Sequence, residues 1–250
     1  MIYLIYLFIA ACASGIIQSV CGFGAGIILM IVMPMFMPMI QASACSTMIC
    51  IGGQITTLFI FRKYIDLKRF VSDAGLSLFC YLCFSITIIH YISGFNFTYL
   101  KLAFGAFLII LSIYYIFAAK KTSIRPTKRN AAICGGLSGI TSGLFAIGGP
   151  PVGLYFLSYF GDDKVRYVVT LQILFLITSI INTGARAANG LINADCIRYV
   201  IAGVIAMAIG SRIGTKLIDK INADTMKKII YAFIGVSGVI TIVQNAKGLF

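Results

Sequence analysis

The segment that most constrains this chain is 146–151, Ala-Ile-Gly-Gly-Pro-Pro, which lies inside a long run without charged residues. Two glycines followed by two prolines cannot continue a regular helix, because proline lacks an amide donor and disfavours helical backbone in the residue before it. A second glycine-rich segment, 22–26, lies in a similar run in the first half. In hydrocarbon, irregular backbone is tolerated only where protein buries it or it lines a water-filled cavity. Each run is therefore predicted to hold two helical pieces that meet at a break.

The surrounding composition places these breaks in a membrane. Residues 2–61 contain no Asp, Glu, Lys, Arg or His, and the chain is 60% hydrophobic and only 11% charged. Uncharged stretches of this kind are typical of membrane spans, each of which needs roughly 20 apolar residues. No basic segment precedes the first apolar run, so a cleaved signal peptide is not expected. The prediction is an all-α polytopic membrane protein, multi-pass in the plasma membrane.

The order of apolar runs predicts about eight transmembrane segments in two halves. The first half, 1–119, comprises a broken segment and three spans, and a basic linker at 120–129 separates it from a second half, 130–250, of the same plan. The expected unbroken spans cover residues 42–61, 72–91, 102–119, 167–185, 197–217 and 229–246.

Internal similarity suggests that the halves arose by duplication. Ser14-Gly15-Ile16 recurs as Ser138-Gly139-Ile140, and the same offset places Gly24 on Gly148. Matching sequence in matching order is typical of repeat proteins. Paired glycine- or proline-interrupted segments in corresponding positions indicate a transporter binding site at the interface of the repeats.

The distribution of basic residues favours one topology. If each broken run enters and leaves on the same side, 16 of the 20 Lys and Arg residues share a side, and only Lys101, Arg186, Arg198 and Lys247 fall on the other. If each run crosses once, the division is much more even. Because positive charge collects in cytoplasmic loops, the hairpin arrangement is favoured. It predicts inverted halves, with both termini outside the cytoplasm and the 120–129 linker inside.

Several function classes are disfavoured by the same pattern. The net charge of +13 comes from loops beside apolar runs, so it indicates membrane orientation and not nucleic-acid binding. The eight cysteines lie mostly within apolar runs, where cysteine behaves as a small hydrophobic residue. No disulfide framework, metal site or cofactor is expected. No His/Asp/Glu cluster supports an enzyme. The expected partners are a small anionic substrate and the lipid bilayer. The sequence is also compatible with a homo-oligomer.

The breaks supply the candidate substrate site. A helix that begins inside the membrane presents free amides and the positive end of its dipole, which suit an anion, and glycine lets a ligand approach the backbone. Neutral polar side chains nearby add donors. The candidate substrate-binding residues are Gln18, Ser19, Gly22, Gly24, Gly26, Ser142, Gly143, Gly148, Gly149, Pro150, Thr170 and Asn182. Arg186 is expected to reach the membrane surface, and Arg212 is a less clear case.

The motifs resemble the sulfite exporter TauE/SafE family over essentially the whole chain. The resemblance lies in segments 139–143 with 147–151, in 22–26, where Ala25 replaces a family glycine, and in 166–170 and 210–214. It implies a membrane transporter, expected to be an exporter, of sulfite or an organosulfonate, working by alternating access around the two breaks.

The sequence leaves other interpretations open. The chain could carry another small solute or ion, or relay sulfur through Cys21, which directly precedes the first glycine break. A purely structural subunit is disfavoured, because a scaffold has no use for two broken helices. The substrate, the direction of transport, the coupling ion and the oligomeric state are not determined by these residues.

Overall fold

The computed structural model describes residues 2–92, 106, 124–161, 163–193 and 196–218, and throughout these residues the regular structure is helical. Two short 3-10 turns, Met33–Met35 and Arg62–Tyr64, follow α2 and α3. The helices of the described part are α1 (Ile2–Cys21), α2 (Ala25–Val32), α3 (Met39–Ile60), α4 (Leu67–Tyr91), α5 (Lys128–Phe145), α6 (Gly149–Phe160), α7 (Lys164–Ala188) and α8 (Cys196–Leu217).

Five of these helices, α1, α3, α4, α7 and α8, are long and apolar enough to cross a membrane. The chain is therefore a multi-pass membrane protein. Helices α4 and α7 extend a few residues beyond the expected spans, because polar residues at their ends still form helical turns. Helix α3 begins before its expected span and ends one residue short of it. The spans expected over 102–119, apart from residue 106, and over 229–246 lie outside the described residues. So does the linker up to residue 123.

The run formed by α1 and α2 turns back on itself. Tyr3, in the first turn of α1, stacks on Phe36, which directly follows the 3-10 turn after α2, with ring centroids 5.4 Å apart. Phe36 also packs against Tyr199 in the first turns of α8, at 5.6 Å. The run thus begins and finishes at one end of the bundle, which we call the Phe36 end.

The run formed by α5 and α6 also turns back, but from the opposite end. In the first turns of α5, the Ala131 carbonyl accepts from Ser77 Oγ of α4 at 3.1 Å. In the last turn of α6, Tyr159 donates to Asp73 Oδ1, also on α4, at 2.9 Å. Asp73 and Ser77 are one helical turn apart, so both ends of this run lie at the start of α4. We call this the Asp73 end.

Glycines allow the hairpins to pack closely on their partner helices. The carbonyl of Cys12 occupies the space of a Gly210 side chain, and a Cβ at Gly214 would come within 2.6 Å of the Ile16 carbonyl oxygen, so α1 and α8 run parallel in contact. In the same way, Gly135 and Gly139 of α5 pack against the backbone of α4. Small residues permit such close approach in membrane helices.

Acidic and hydroxyl caps start the helices at the Asp73 end. Asp66 accepts from the Arg69 amide before α4, and Asp163 accepts from the Arg166 amide before α7, each at 3.1 Å. Thr127 caps α5 through the Asn130 amide at 3.2 Å. These side chains satisfy amides that have no partner within the helix. The central helices α3 and α7 contact each other, and α2 and α6 lie against them, so the two hairpins meet in the middle.

Candidate functional site

The two helix interruptions meet at a small central cavity. The Gly26 backbone of α2 lies against the carbonyl of Ala146, and Phe23 packs on Gly149 and Gly153 of α6. The cavity measures about 50 Å³, enough for a few waters or one small oxyanion. Its lining comprises Gln18, Phe23, Gly24, Ala25, Gly26, Ile27, Thr47, Cys50, Gln54, Tyr81, Ser142, Ala146, Ile147, Gly148, Gly149, Phe175, Ser179 and Asn182.

The first interruption requires glycine. Gly22 and Gly24 have φ of 80° and 113°, a region that side-chain-bearing residues rarely adopt. The amides of Ile27 and Ile28 donate to the Gly24 carbonyl, which starts α2. The amides of Ala25 and Gly26 precede the first intrahelical bond, as in any helix, and both residues line the cavity. This helix start can therefore offer two backbone donors to a ligand.

The second interruption offers fewer backbone donors than the first. Pro150 and Pro151 have no amide hydrogen, and the Val152 amide donates to Ser138 Oγ at 2.9 Å. Of the first four residues of α6, only Gly149 therefore retains an uncommitted amide. The two helix starts therefore differ in the amides that they offer, because the prolines that stop α5 from continuing also remove donors from α6.

Neutral side chains line the rest of the cavity. Gln54 of α3 donates to Ser179 Oγ of α7 at 3.1 Å. Asn182, one turn further along α7, accepts from Ser85 Oγ at 2.9 Å and donates to Ser142 Oγ at 3.3 Å. These bonds tie α3, α4 and α5 to α7, so the polar wall is held in place by several helices.

A pair of glutamines forms another part of the wall. Gln18 Nε2 donates to Gln172 Oε1 at 2.9 Å, and Gln172 Nε2 donates to the Gly22 carbonyl at 3.1 Å. Both side chains are buried. Gln18 Oε1 receives no hydrogen bond from any described group. A buried polar atom left without a partner typically costs about 1–3 kcal/mol, so this oxygen is a functional candidate.

The prediction that Arg186 reaches the membrane surface is wrong: its side chain is 0% exposed. Its guanidinium donates to the carbonyls of Ser142 and Gly143, at 3.2 and 3.0 Å, and to Ser43 Oγ at 2.7 Å. The Ser142 carbonyl also accepts from the Ala146 amide that caps α5, whereas the Gly143 carbonyl has no such donor because the helix stops at Phe145. A cation also suits the negative end of the helix dipole. Within the described residues, no carboxylate pairs with Arg186. Arg212, in contrast, is exposed.

Comparison with known proteins places this chain in a family. Residues 7–241 match the family described as sulfite exporter TauE/SafE. The chain belongs to the TauE/SafE family. It is also similar to a protein of Cupriavidus necator (strain ATCC 17699 / DSM 428 / KCTC 22496 / NCIMB 10442 / H16 / Stanier 337) named "Probable sulfite/organosulfonate exporter TauE". The two are 24% identical over 218 residues, which cover 86% of this chain and 84% of the relative. No solved structure matches the chain.

Seven of the residues predicted for the substrate site of this TauE/SafE protein line the cavity. They are Gln18, Gly24, Gly26, Ser142, Gly148, Gly149 and Asn182. The other five lie outside the lining. Ser19 bonds Thr57 on α3, the Gly22 carbonyl accepts from Gln172, and the space beside Gly143 is filled by Ile88. Pro150 and Thr170 are buried without lining the cavity.

Sequence reasoning missed Thr47, Gln54 and Tyr81, which the fold adds to the TauE/SafE cavity. An indicator was available for Gln54, because an amide side chain within an uncharged span is rare and usually functional. Tyr81 gave no such indication, because a tyrosine within an apolar run can also pack as a large hydrophobic residue. It reaches the site only because α4 packs along α5, which places its hydroxyl group against Gly148.

Proposed function

We propose that this TauE/SafE protein is a membrane carrier that exports a small sulfur oxyanion, sulfite or an organosulfonate, by alternating access around the central cavity. The main support is that both glycine-containing interruptions line one cavity, whose polar side chains are neutral. The name of the Cupriavidus necator relative supports the substrate class. Neutral donors suit an anion that must be released again, because binding remains moderate.

The packing pattern supports two inverted, duplicated halves. The hairpin of α1 and α2 opens at the Phe36 end and that of α5 and α6 at the Asp73 end. Helix α1 packs on α8 as α5 packs on α4, and α3 contacts α8 as α7 contacts α4. Halves related in this way can rock about a shared central site, which is the arrangement of many secondary transporters.

Positive charge near the cavity supports an anionic ligand. Arg186 contacts the backbone of Ser142, which lines the cavity, and no described carboxylate neutralises it. The first two residues of α2, Ala25 and Gly26, also line the cavity, so the positive end of this helix dipole lies beside it. A buried cation and a helix terminus together compensate one negative charge in a region that water does not screen. The anion would in turn offset the cost of burying Arg186.

The same arrangement suggests how the protein lies in the plasma membrane. The described basic residues near helix ends cluster at the Asp73 end, which would therefore face the cytoplasm. They are Arg62, Lys63, Lys68, Arg69, Lys128, Arg129, Lys164, Arg166 and Lys216. The start of α1 would then lie outside the cytoplasm, and we propose the same side for the carboxyl terminus, which lies outside the described residues.

The test is anion flux through purified protein in proteoliposomes. Sulfite, sulfate, methanesulfonate and 2-aminoethanesulfonate are loaded separately, and efflux is followed against empty liposomes. We expect efflux of at least one sulfur oxyanion, and inhibition of that flux by the other transported anions. Liposomes with folded protein that release none of these anions faster than empty liposomes would refute the proposal.

A sulfur relay through Cys21 makes a different prediction. Its side chain is 1% exposed and does not line the cavity, and the Cys21 carbonyl accepts from Tyr167. We expect Cys21→Ser to retain anion efflux, because a carrier needs no thiol there. Loss of efflux in Cys21→Ser with normal protein yield would favour the relay.

A further inference from the structure

Gln18, a residue of the cavity lining, carries a buried hydrogen-bond acceptor that an anion cannot satisfy. Gln18 lines the cavity at 3% exposure, and no described group donates to its Oε1. A carboxylate, sulfite or sulfate oxygen placed beside it would bring two acceptors together without a proton between them. Such a pairing is unfavourable wherever water is excluded.

The orientation of Gln18 is fixed by its neighbours. The Gly22 carbonyl can only accept, so the Gln172 side chain must direct its Nε2 there, at 3.1 Å. Gln172 Oε1 then faces Gln18 and requires a donor, which Gln18 Nε2 supplies at 2.9 Å. Turning the Gln18 amide over would set two carbonyl oxygens against each other. Oε1 is therefore the atom of Gln18 left without a partner.

Gln54, the other glutamine of the lining, is not fixed in this way. Its Nε2 donates to the Ser179 hydroxyl at 3.1 Å, and its Oε1 also has no described partner, but a hydroxyl can donate as well as accept. Gln54 can therefore present either its amide hydrogens or its oxygen to a ligand. Adaptable donors at Gln54 and the backbone amides of Ala25 and Gly26 can hold the anionic oxygens, whereas Gln18 Oε1 can only receive a hydrogen bond.

We propose that the site takes an oxyanion that brings its own hydrogen-bond donor, so that sulfite is carried as hydrogensulfite and not as the dianion. The proton would lie on the ligand and point to Gln18 Oε1. Sulfite takes up a proton near neutral pH, whereas sulfate stays a dianion there. This inference rests on the proposed function, and it makes sulfate a poor ligand for a site that has room for it.

The test is binding to the purified full chain in nanodiscs between about pH 6 and about pH 8.5, with sulfite, sulfate and methanesulfonate as probes. Sulfate should bind at least about tenfold more weakly than sulfite at the lower pH, because a site built for a donor rejects a ligand without one. Affinity for total sulfite should fall about tenfold for each pH unit above its ionisation, since the protonated form is lost. Methanesulfonate has no hydrogen to donate and does not titrate in this range, so its binding should be weak, like that of sulfate, and should not change with pH.

A variant tests the role assigned to Gln172. Gln172→Met removes the group that fixes Gln18, which can then turn its Nε2 towards the ligand. We expect the preference for sulfite over sulfate to shrink and the pH dependence of sulfite binding to flatten. Gln41→Met, the same change on α3 at the Phe36 end and outside the cavity, is the matched control and should behave as wild type.

Two results would overturn the inference: wild-type protein that binds sulfate as tightly as sulfite at the lower pH, or sulfite affinity that does not change with pH. Either would leave the transport proposal intact. Absence of binding to all three anions at every pH is a different result, because it removes the proposed function and this inference with it.

Discussion

Arg186 provides the sharpest test of how this protein compensates a buried anion. We consider Arg186→Gln, which removes the charge but keeps a hydrogen-bonding side chain. The guanidinium makes three hydrogen bonds, two of them to carbonyls at the end of α5. Bonds to charged groups contribute about 1.5–3 kcal/mol each, so the gross loss is about 4–9 kcal/mol. Relief of the desolvation of a buried ion offsets several kcal/mol, which leaves a net destabilisation of about 2–4 kcal/mol.

The effect of Arg186→Gln on ligand affinity is a separate quantity, and we estimate it from the Coulomb attraction between the guanidinium and the bound anion. Arg186 bonds the Ser142 carbonyl, and Ser142 lines the cavity, so an anion there lies on the order of 8 Å from the guanidinium by simple geometry. With an effective dielectric constant of about 20, that attraction is about 2 kcal/mol. We therefore expect Arg186→Gln to weaken anion binding by about thirtyfold.

The measurements are sulfite affinity and thermal unfolding of the purified variant in nanodiscs. Arg212→Gln is the matched control, because that arginine is exposed in α8 and should change neither quantity. Arg186→Lys should recover most of the affinity but not the stability, since lysine keeps the charge without the planar fork. If folded Arg186→Gln binds sulfite within threefold of wild type, Arg186 only caps α5 and the electrostatic argument is wrong.

Three further outcomes are expected. Ser142→Ala should weaken sulfite binding by about 1 kcal/mol, the usual net value of one hydrogen bond. Thr170→Ala is the control and should not change the affinity, because Thr170 lies outside the cavity lining. An equal loss of affinity in the two variants would contradict the assignment of the cavity as the substrate site. Gly26→Ala should abolish efflux from proteoliposomes, because its Cβ would lie 2.5 Å from a backbone oxygen of the other interruption. Gly184→Ala is the control and should leave efflux unchanged, because no atom lies within 4 Å of the added Cβ. Normal efflux by Gly26→Ala would refute the close approach of the two interruptions. A protease site inserted at 124–127 should be cut only from the cytoplasmic side. Cleavage from outside would mean that the proposed orientation in the membrane is wrong.

The sequence could predict the membrane class, the family and much of the site for local reasons. Uncharged runs require a bilayer, and consecutive glycines and prolines cannot continue a helix, whatever surrounds them. The segments around Gly24 and Gly148 were therefore identifiable before any packing was known. Polar residues close to them along the chain, such as Gln18 and Ser142, could be assigned by proximity, and both line the cavity.

Only the tertiary structure decided which distant side chains join the site and which donors remain available. Arg186 and Arg62 stand at matching places in the two halves and look alike in sequence, yet Arg62 is exposed beside Phe59 while Arg186 is fully buried. The difference arises because α7 continues to Ala188 alongside the end of α5, whereas α3 stops at Ile60. Whether an arginine meets water or helix-terminal carbonyls depends on which helix end lies beside it, and periodicity along one chain segment does not contain that information.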